Sequence, residues 1–442
     1  MSFARPAAFF VKVLRLAGAV ALATSGAAGC GGVGKIGPSG GDARIELFSW
    51  WSSPSESRAL QALIDVHRRD HPDVKVINAA AAAANASERR LEERMVEGLP
   101  PDMFQSYSGA RMMSWVRYNG QEGENKLEAI DDVVASSGWL SSAPASIVES
   151  VSHDGHVYAV PVNIHRANCL FYNKKIFAEN DLLPPTTLDE LLAVNEALAA
   201  KHVVPLAVAA RDPSIPASLM WEHIFIMSAG ATYYDDLFKG RLESPDTRKV
   251  RAALAAGLRA MKHMNANAEE LRWYDAIELV GRGKAAMVMD GDWAKAEFQA
   301  RGYALDEDFG MVTVGEGAFV YVVDSFVVPR GAAHRDAALD LLATMGSVEG
   351  QDALNPLKGS IPSRTDTDIT LYDSLSQRAM EDANDPETLF VPSRHLSAPG
   401  AFFDPIDRAF WEFVKDRNID RMISAMEAHY YILQDYHAGL SR

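Results

Sequence analysis

Two adjacent tryptophans stand in the segment IELFSWWSSPSE, residues 45–56, where a predicted strand ends and a helix begins. Neighbouring strand residues point to opposite faces of a sheet, so Trp50 and Trp51 cannot both fill the same face of a core. A cleft that binds a small polar molecule needs flat aromatic surfaces and converging polar groups. We expect at least one of the two rings to contact a ligand. The alternative is that one ring packs in the core and the other covers the helix start.

A carboxylate, Asp324, interrupts the apolar run FVYVVDSFVVP at residues 319–329. An unpartnered buried carboxylate costs several kcal/mol, so this side chain needs hydrogen-bond donors. Vicinal hydroxyl groups of a ligand can provide two of them. The alternative is a structural pair with an arginine or lysine.

Two further polar positions have competing interpretations. Glu56 follows Ser53-Pro54 with the spacing of a helix capping box, so its carboxylate either satisfies the Ser53 amide or faces a ligand. Gln105 ends the predicted strand PDMFQ, and its amide can both donate to and accept from a hydroxyl group. The alternative for Gln105 is an exposed loop position.

Trp293 follows a turn after the buried strand KAAMVMD, which places a second aromatic ring near a strand end. The neighbouring Asp292 is expected to be the N-cap of the next helix.

The composition indicates a globular protein with more than one lobe. The chain has 442 residues, 48% hydrophobic and 23% charged, which is too long for one core of ordinary size and too apolar for disorder. Its net charge of −16, without a long basic run, argues against nucleic-acid binding.

The first 29 residues have the features of a targeting segment. Arg5, Lys12 and Arg15 precede a short apolar stretch that is too short for an ordinary transmembrane helix. Small residues then lead to Cys30, as in a bacterial lipobox, and a Gly-rich tether follows. We expect Cys30 to carry a lipid, which places the protein in the periplasm or on the extracytoplasmic face of a membrane. The alternative is an ordinary secretory signal with an incidental cysteine.

The only other cysteine, Cys169, lies in the apolar run NCLFYN and is expected to be a buried thiol, so no disulfide framework is predicted.

The order of predicted elements after the tether indicates an α/β fold. Strands are predicted at residues 44–49, 74–78 and 101–109, with helices at 56–70 and 85–98 between them. This alternation is typical of a parallel sheet with helices on both faces.

Common catalytic and cofactor motifs do not support an enzyme. The Gly-x-Ser-x-Gly match at residues 37–41 lies in the tether without a preceding buried strand. The sequence has no phosphate-binding Gly-x-x-x-x-Gly-Lys-Ser/Thr, no His-Glu-x-x-His and no Cys-x-x-Cys. We therefore predict no enzymatic activity, no cofactor and no metal site.

The order of several short segments resembles one family. The lipobox is followed by LFSWW, PDMFQ, GHVYAVPVNIHRANCLFYNKKIF, PTTLDELL, AAMVMDGDWAKAEF, VYVVDSFVVPRG and KGSIPSR. This order resembles the family 1 extracellular solute-binding proteins of bacterial ABC sugar importers, and among them the glucose/mannose-type monosaccharide binders. The chain departs from the family pattern at Asp290, which adds a carboxylate, and in the segment QSYSG after the PDMF strand.

The resemblance implies a two-lobed α/β periplasmic-binding-protein fold. A monosaccharide would bind in the cleft between the lobes, and the closed protein, expected to be a monomer, would dock on the ABC permease. The chain would cross between the lobes three times, near residues 158–164, 322–326 and Lys358. The implied ranges are a signal peptide at 1–29, a lipidated cysteine and tether at 30–43, an N-terminal lobe at 44–159 with 325–357, and a C-terminal lobe at 160–324 with 358–442.

The resemblance also adds candidate ligand contacts at His165, Lys358 and His395, and it favours a ligand contact for Gln105. Without it, Lys358 and His395 would be interpreted as solvated side chains. Arg166 is expected to be structural.

Two other functions stay open at this point. A secreted glycan-cleaving enzyme would need two carboxylates at a defined separation, with Glu56 and Asp324 as the conceivable pair. A binder of an oligosaccharide or a polyol would share the same fold.

The lipid anchor can be tested directly at Cys30. Cys30→Ser should move the protein into the soluble fraction or leave an unprocessed precursor, because lipidation needs the thiol. Membrane fractionation and the size of the mature chain measure this. Unchanged fractionation and processing would contradict the lipobox interpretation.

Overall fold

The computed structural model describes residues 43–79, 84–117, 124–211 and 216–440. Cys30 and the expected signal peptide and tether lie outside these ranges. The strands, in chain order, are β1 Ala43–Phe48, β2 Val74–Asn78, β3 Met103–Tyr107, β4 Ser152–His153, β5 His156–Val157, β6 Val160–Pro161, β7 His165–Arg166, β8 Cys169–Asn173, β9 Leu206–Ala207, β10 Met287–Asp290, β11 Phe309–Thr313, β12 Ala318–Val322, β13 Asp324–Val327 and β14 Leu389–Pro392.

The helices surround these strands. In chain order they are α1 Pro54–Asp70, α2 Ala84–Val96, α3 Ala110–Val116, α4 Asp131–Ser136, α5 Trp139–Ser142, α6 Ala145–Ser150, α7 Lys174–Glu179, α8 Leu188–Ala200, α9 Pro216–Ala229, α10 Ala231–Phe238, α11 Thr247–Ala260, α12 Trp273–Gly281, α13 Trp293–Ala300, α14 Arg335–Gly346, α15 Val348–Lys358, α16 Ser374–Asn384, α17 Arg394–Ser397, α18 Gly400–Asp416 and α19 Ile419–Leu440. Short 3-10 turns occur at Met261–His263, Ala268–Glu270 and Ile369–Leu371.

The first lobe is built on a five-stranded sheet of order β2-β1-β3-β13-β6. Strand β1 pairs in parallel with β2 and β3, and β13 runs antiparallel to β3. All five residues of β3 are buried, as expected for a central strand with helices on both faces. The predicted β-α-β-α order is confirmed for this part of the chain.

Helix α1 begins where its capping residues predict. The Ser53 side chain accepts from the Glu56 amide, the Glu56 side chain accepts from the Ser53 amide, and Pro54 occupies the first turn. Leu60, Leu63 and Ile64 of α1 are buried in the core, so the cap fixes the position of a packed helix. The loop before it, with Trp50 and Trp51, is thereby held at the carboxyl end of β1.

The second lobe contains a four-stranded sheet of order β11-β8-β10-β9 and a three-stranded sheet of order β14-β12-β7. In the larger sheet β8 is antiparallel to both β10 and β11. Cys169, at the start of β8, is a buried thiol as predicted, and burial raises its pKa. The two-lobed α/β fold is confirmed.

The chain passes between the lobes at points where consecutive strands belong to different sheets. Residues 162–164 connect β6 of the first sheet to β7 of the second lobe, and Val323 alone separates β12 from β13. The two passages lie side by side, because the Val162 amide donates to the Asp324 carbonyl at 3.0 Å.

Hydrogen bonds shift two of the expected boundaries. Strand β6 pairs with β13 in the first sheet, so the first lobe extends through Pro161 rather than ending at residue 159. Residues 363–365 hydrogen-bond to Trp139, Ser137 and Ser142 of the first lobe, so the third passage lies after residue 365 and not near Lys358. The shift arises because the polypeptide after α15 turns back onto α4 and α5.

In the described ranges, no helix is both long enough and apolar enough to cross a bilayer.

Candidate functional site

Asp324 lies at the second passage between the lobes, with 3% of its surface exposed. Gln105 Nε2 donates to its Oδ1 at 2.9 Å, and Asn163 Nδ2 donates to its Oδ2 at 2.9 Å. Ser49 Oγ donates in turn to Gln105 Oε1 at 2.6 Å, which fixes the orientation of that amide. The carboxylate thus accepts hydrogen bonds from neutral amide donors of β3 and of the first passage. The alternative, a pair with an arginine or lysine, is not found among the described residues.

His165 connects this carboxylate to the second lobe. Its Nδ1 hydrogen-bonds to Asp292 Oδ1, and its Nε2 lies 3.4 Å from Asp324 Oδ2. Asn163 Nδ2 lies 3.1 Å from the same Nε2. The Asn163 amide nitrogen can only donate, so it bonds to Nε2 when the imidazole is neutral, whereas the two buried carboxylates favour the protonated ring.

The pKa values of this group follow from burial and from these partners. Burial acts to lower the pKa of His165, but the charge and hydrogen bond of Asp292, with the Asp324 hydrogen bond, raise it above its ordinary value. Burial acts to raise the pKa of Asp324, but hydrogen bonding to His165 and the charges of His165 and Lys358 lower it below its ordinary value. At neutral pH the group therefore contains an ionised Asp324 next to a histidine that favours its charged form.

Lys358 is a buried lysine, only 3% exposed, at the end of α15. Its Nζ lies 5.3 Å from the centre of the Trp51 ring and 6.0 Å from that of Trp293, and 3.7 Å from Glu56 Oε1. An ammonium between two aromatic faces and a carboxylate gains cation–π and ion-pair energy in place of hydration. Trp51 and Trp293, from different lobes, are therefore brought to one place.

Glu56 serves both of its expected roles with different oxygens. Oε2 accepts from the Ser53 amide at 3.1 Å and from the Ser52 amide at 3.2 Å, while Oε1 faces Lys358. Burial raises the pKa of Glu56, and the Lys358 charge and the Ser53 amide oppose that shift.

A line of aromatic rings extends from Trp50 to the second lobe. The half-buried Trp50 ring lies 5.0 Å from Tyr107, the Tyr107 ring 5.5 Å from His395, and the His395 ring 4.6 Å from Phe403. Burial and the charges of Arg394 and Arg111 keep the pKa of His395 well below its ordinary value. His395 is thus a neutral imidazole, which can donate one hydrogen bond and accept another.

The lobes touch across this region. Ser55 Oγ on α1 donates to Glu297 Oε2 on α13 at 2.7 Å, and the Tyr107–His395 ring contact joins β3 to α17. These contacts enclose the predicted site residues between the two lobes.

The structure brings all nine predicted site residues into this region. Seven of them, Trp51, Glu56, Gln105, His165, Asp324, Lys358 and His395, are buried, and Trp50 and Trp293 are half-buried. Lys358 and His395 are not the solvated side chains that the sequence would suggest on its own. Arg166 is structural, as predicted: its guanidinium lies 4.3 Å above the Phe319 ring and pairs with Asp382.

The expectation for Asp292 is wrong. It stands at the N-cap position of α13, but its φ and ψ are helical and its side chain accepts no capping hydrogen bond. Its Oδ2 instead accepts from the Arg166 amide at 2.8 Å, and its Oδ1 binds His165. A tertiary partner in the adjacent β7 has replaced the local cap.

Three contributors were not predicted. Asn163 donates to the Asp324 carboxylate, and Ser49 orients the Gln105 amide. Tyr107, which pairs with Asp324 across β3 and β13, adds its ring to the line of aromatic side chains. Asn163 was detectable, because it is a polar residue in the apolar run YAVPVNI, as Asp324 is in its own run. Ser49 and Tyr107 have no comparable local signal.

Within the described ranges, no group of three or more His, Cys, Asp and Glu side chains is placed to hold a metal ion.

Comparison with known families identifies the fold and the type of protein. The sequence profile described as bacterial extracellular solute-binding protein matches residues 51–352, which is more than half of the chain. The chain belongs to this family. The polar group around Asp324 is thus the interlobe region of a solute-binding protein.

Several relatives of this solute-binding protein carry informative names. An ABC transporter extracellular-binding protein of Pyrococcus horikoshii is 31% identical over 87% of each chain. A probable sugar-binding periplasmic protein of Brucella suis is 28% identical, over 94% of this chain and 99% of its own. A xylose/arabinose-binding protein of Haloferax volcanii is 29% identical, over 78% of this chain and 75% of its own.

Solved structures of solute-binding proteins share the fold. A receptor described as exclusive for β-D-galactopyranose aligns with a TM-score of 0.73 and 17% identity, over 91% of this chain and 100% of that one. A chitin oligosaccharide binding protein aligns with a TM-score of 0.74 and 17% identity, over 90% and 100%. At these identities the likeness establishes the two-lobed fold alone.

The raised pKa of His165 predicts a pH-dependent contribution to stability. A group whose pKa is raised on folding stabilises fully below its unfolded pKa, about 6.5 for histidine, and loses this effect as the pH rises through its folded value. The deficit in unfolding free energy of His165→Asn should therefore be largest near pH 5 and should narrow towards pH 9. Urea unfolding at several pH values measures it.

His67→Asn provides the matched control. His67 is also buried, but burial and His71 lower its pKa to about 4, so the unfolded chain binds more protons between pH 4 and 6.5. The deficit in unfolding free energy of His67→Asn should therefore shrink as the pH falls, which is the opposite of the trend expected for His165→Asn. A His165→Asn deficit that is constant with pH would show that His165 gains no protonation advantage on folding.

Proposed function

We propose that this protein is the extracytoplasmic sugar-binding lipoprotein of an ABC importer. It binds a glucose- or mannose-like monosaccharide between its two lobes and delivers it to a membrane permease. The observation that carries the proposal is the enclosure of Asp324, Lys358 and the rings of Trp51 and Trp293 in one interlobe site.

The chemistry of this site suits a sugar. A pyranose has apolar C–H faces and a rim of hydroxyl groups, so it needs rings to stack on and charged groups to hydrogen-bond. Trp51 and Trp293 offer the rings, while Asp324 and Lys358 offer charge-assisted acceptors and donors. His395, as a neutral imidazole, adds a group that can donate or accept a hydrogen bond.

The burial of the site residues favours one sugar ring over a chain of them. Most of the side chains around Asp324 are nearly inaccessible, and contacts such as Ser55–Glu297 shut the region. The Haloferax volcanii relative is named for two pentoses and a Saccharolobus solfataricus relative for glucose, which agrees with a monosaccharide. The alternative is an oligosaccharide or polyol, which the chitin oligosaccharide binding protein of the same fold represents.

The contacts of the two candidate acids argue against a glycan-cleaving enzyme. Both oxygens of Asp324 accept hydrogen bonds from amides, and Oε2 of Glu56 caps α1. A general acid needs a proton to give, but the lowered pKa of Asp324 keeps that group ionised, and Glu56, whose pKa burial raises, has Oε2 on the Ser52 and Ser53 amides and Oε1 next to Lys358. These groups suit binding without chemistry.

The location and partners follow from the same role. Relatives named as extracellular and periplasmic binding proteins support an extracytoplasmic position, and the proposed lipid on Cys30 would keep the protein beside its permease. We expect the working form to be a monomer.

Calorimetry with hexoses, pentoses and disaccharides tests the proposal, and a tryptophan variant locates the site. Trp51→Leu should weaken binding of the best sugar by about 1–3 kcal/mol, the usual share of a stacked aromatic ring. Sugar should also change the tryptophan emission of the wild type.

Trp139→Leu is the matched control, because Trp139 is an equally buried tryptophan of the first lobe that donates to Ser363. Both variants should lose stability, but only Trp51→Leu should lose affinity. Normal binding by Trp51→Leu and by Trp50→Leu would show that the pair is structural, and no binding of any sugar would contradict the function itself.

A further inference from the structure

Asp290, the last residue of β10, is a fully buried carboxylate with one satisfied oxygen. Its Oδ1 accepts from the Gly291 amide at 2.9 Å, whereas Oδ2 has no described donor in hydrogen-bonding geometry, although the Trp293 side chain lies near the carboxylate. Every other acid discussed above has partners for both oxygens or faces a cation. Asp290 is therefore the exception among the acids around the site.

The position of Asp290 ties it to the proposed sugar site. The Trp293 ring folds back against Gly291 so closely that a Cβ there would overlap the ring. Lys358 and Glu56 are the charged side chains that act on Asp290 most strongly, and both belong to the site. Asp290 thus shares the electrostatic environment of Lys358, whose ammonium lies over the Trp51 and Trp293 rings.

The arrangement is unfavourable for the protein on its own. A buried polar atom without a partner loses its hydration and gains nothing in return, whereas an apolar residue of similar size would fit the same strand end at no such loss. Burial accordingly raises the pKa of Asp290 to about 7, although the Gly291 amide, the Trp293 side chain and Lys358 oppose the shift. Groups that are unfavourable for folding are typical of functional positions.

We propose that Asp290 is a further ligand-contact residue, whose Oδ2 accepts a hydrogen bond from one hydroxyl group of the bound sugar and so selects for sugars that carry it. The inference rests on the proposed sugar-binding function. A neutral hydroxyl suits this oxygen better than a cationic group, because Lys358 already brings positive charge to the same place.

The discrimination follows from the unpaired oxygen. When the correct hydroxyl is present, Oδ2 gains its missing donor inside a buried site. When a sugar lacks that hydroxyl or holds it in the other configuration, the oxygen stays unpaired, and sites built to bond a hydroxyl reject such analogues strongly.

The experiment compares Asp290→Val, which replaces both oxygens by a compact apolar side chain, with Asp290→Asn, which keeps one acceptor and guards against failure of the first variant to fold. Asp102→Asn is the control, because Asp102 is another buried aspartate but bonds to Glu46 and His334 at the opposite end of β3. Each protein is titrated calorimetrically with the best wild-type sugar and with its monodeoxy analogues, and thermal unfolding is measured without sugar.

Asp290→Val should bind the parent sugar roughly 10- to 100-fold more weakly, the range for a hydrogen bond to a charged acceptor. Asp290→Asn should lie between it and the wild type, and Asp102→Asn should bind normally. One monodeoxy analogue should bind equally to wild type and Asp290→Val, and the ligand-free Asp290→Val should be at least as thermostable as the wild type.

Three results would overturn the inference. Unchanged affinity in Asp290→Val would show that Asp290 makes no ligand contact, and an equal loss for every deoxy analogue would show an effect on the fold rather than on one hydroxyl. A wild type that binds none of the sugars would contradict the proposed function, and this inference with it. The first two results leave the proposed function standing.

Discussion

The arrangement of this protein depends on how it buries the carboxylate of Asp324 where the chain passes between the lobes. An isolated charge there would cost several kcal/mol, so the surroundings must provide donors. Gln105 provides one from β3 and Asn163 one from the first passage, while His165, whose Nε2 lies 3.4 Å from Asp324 Oδ2, is itself fixed by Asp292 of the second lobe. The side chains that surround this carboxylate therefore connect the central strand of the first lobe, both passages and the second lobe.

This network explains how binding and lobe closure would be coupled. A ligand shifts an equilibrium between open and closed forms only by its difference in affinity for the two. Trp51 and Glu56 come from the first lobe and Trp293 from the second, with Lys358 between them. A sugar that contacts both sides therefore binds the closed form better, and hydrogen bonds to charged groups, worth roughly 1.5–3 kcal/mol each, make that difference large.

Local patterns predicted much of this but not the long-range pairing. Strand β2, the capping box of α1 and the buried Asp324 follow from residues within a few positions of each other. Asp292 shows where such reasoning fails: it has the local context of a helix cap, yet a histidine more than a hundred residues earlier binds it. The third passage was misplaced for the same reason, because the hydrogen bonds of Ser363 and Thr365 to the first lobe leave no trace in the local sequence.

Small-angle scattering of wild type and Asp324→Asn, with and without the best sugar, tests the central claim most directly. Asparagine keeps the shape of the side chain but removes the charge on which Gln105, Asn163 and His165 converge. The account predicts that sugar reduces the radius of gyration of the wild type, and that Asp324→Asn both binds more weakly and closes less. Closure and affinity equal to those of the wild type in Asp324→Asn would show that this carboxylate belongs to the scaffold alone.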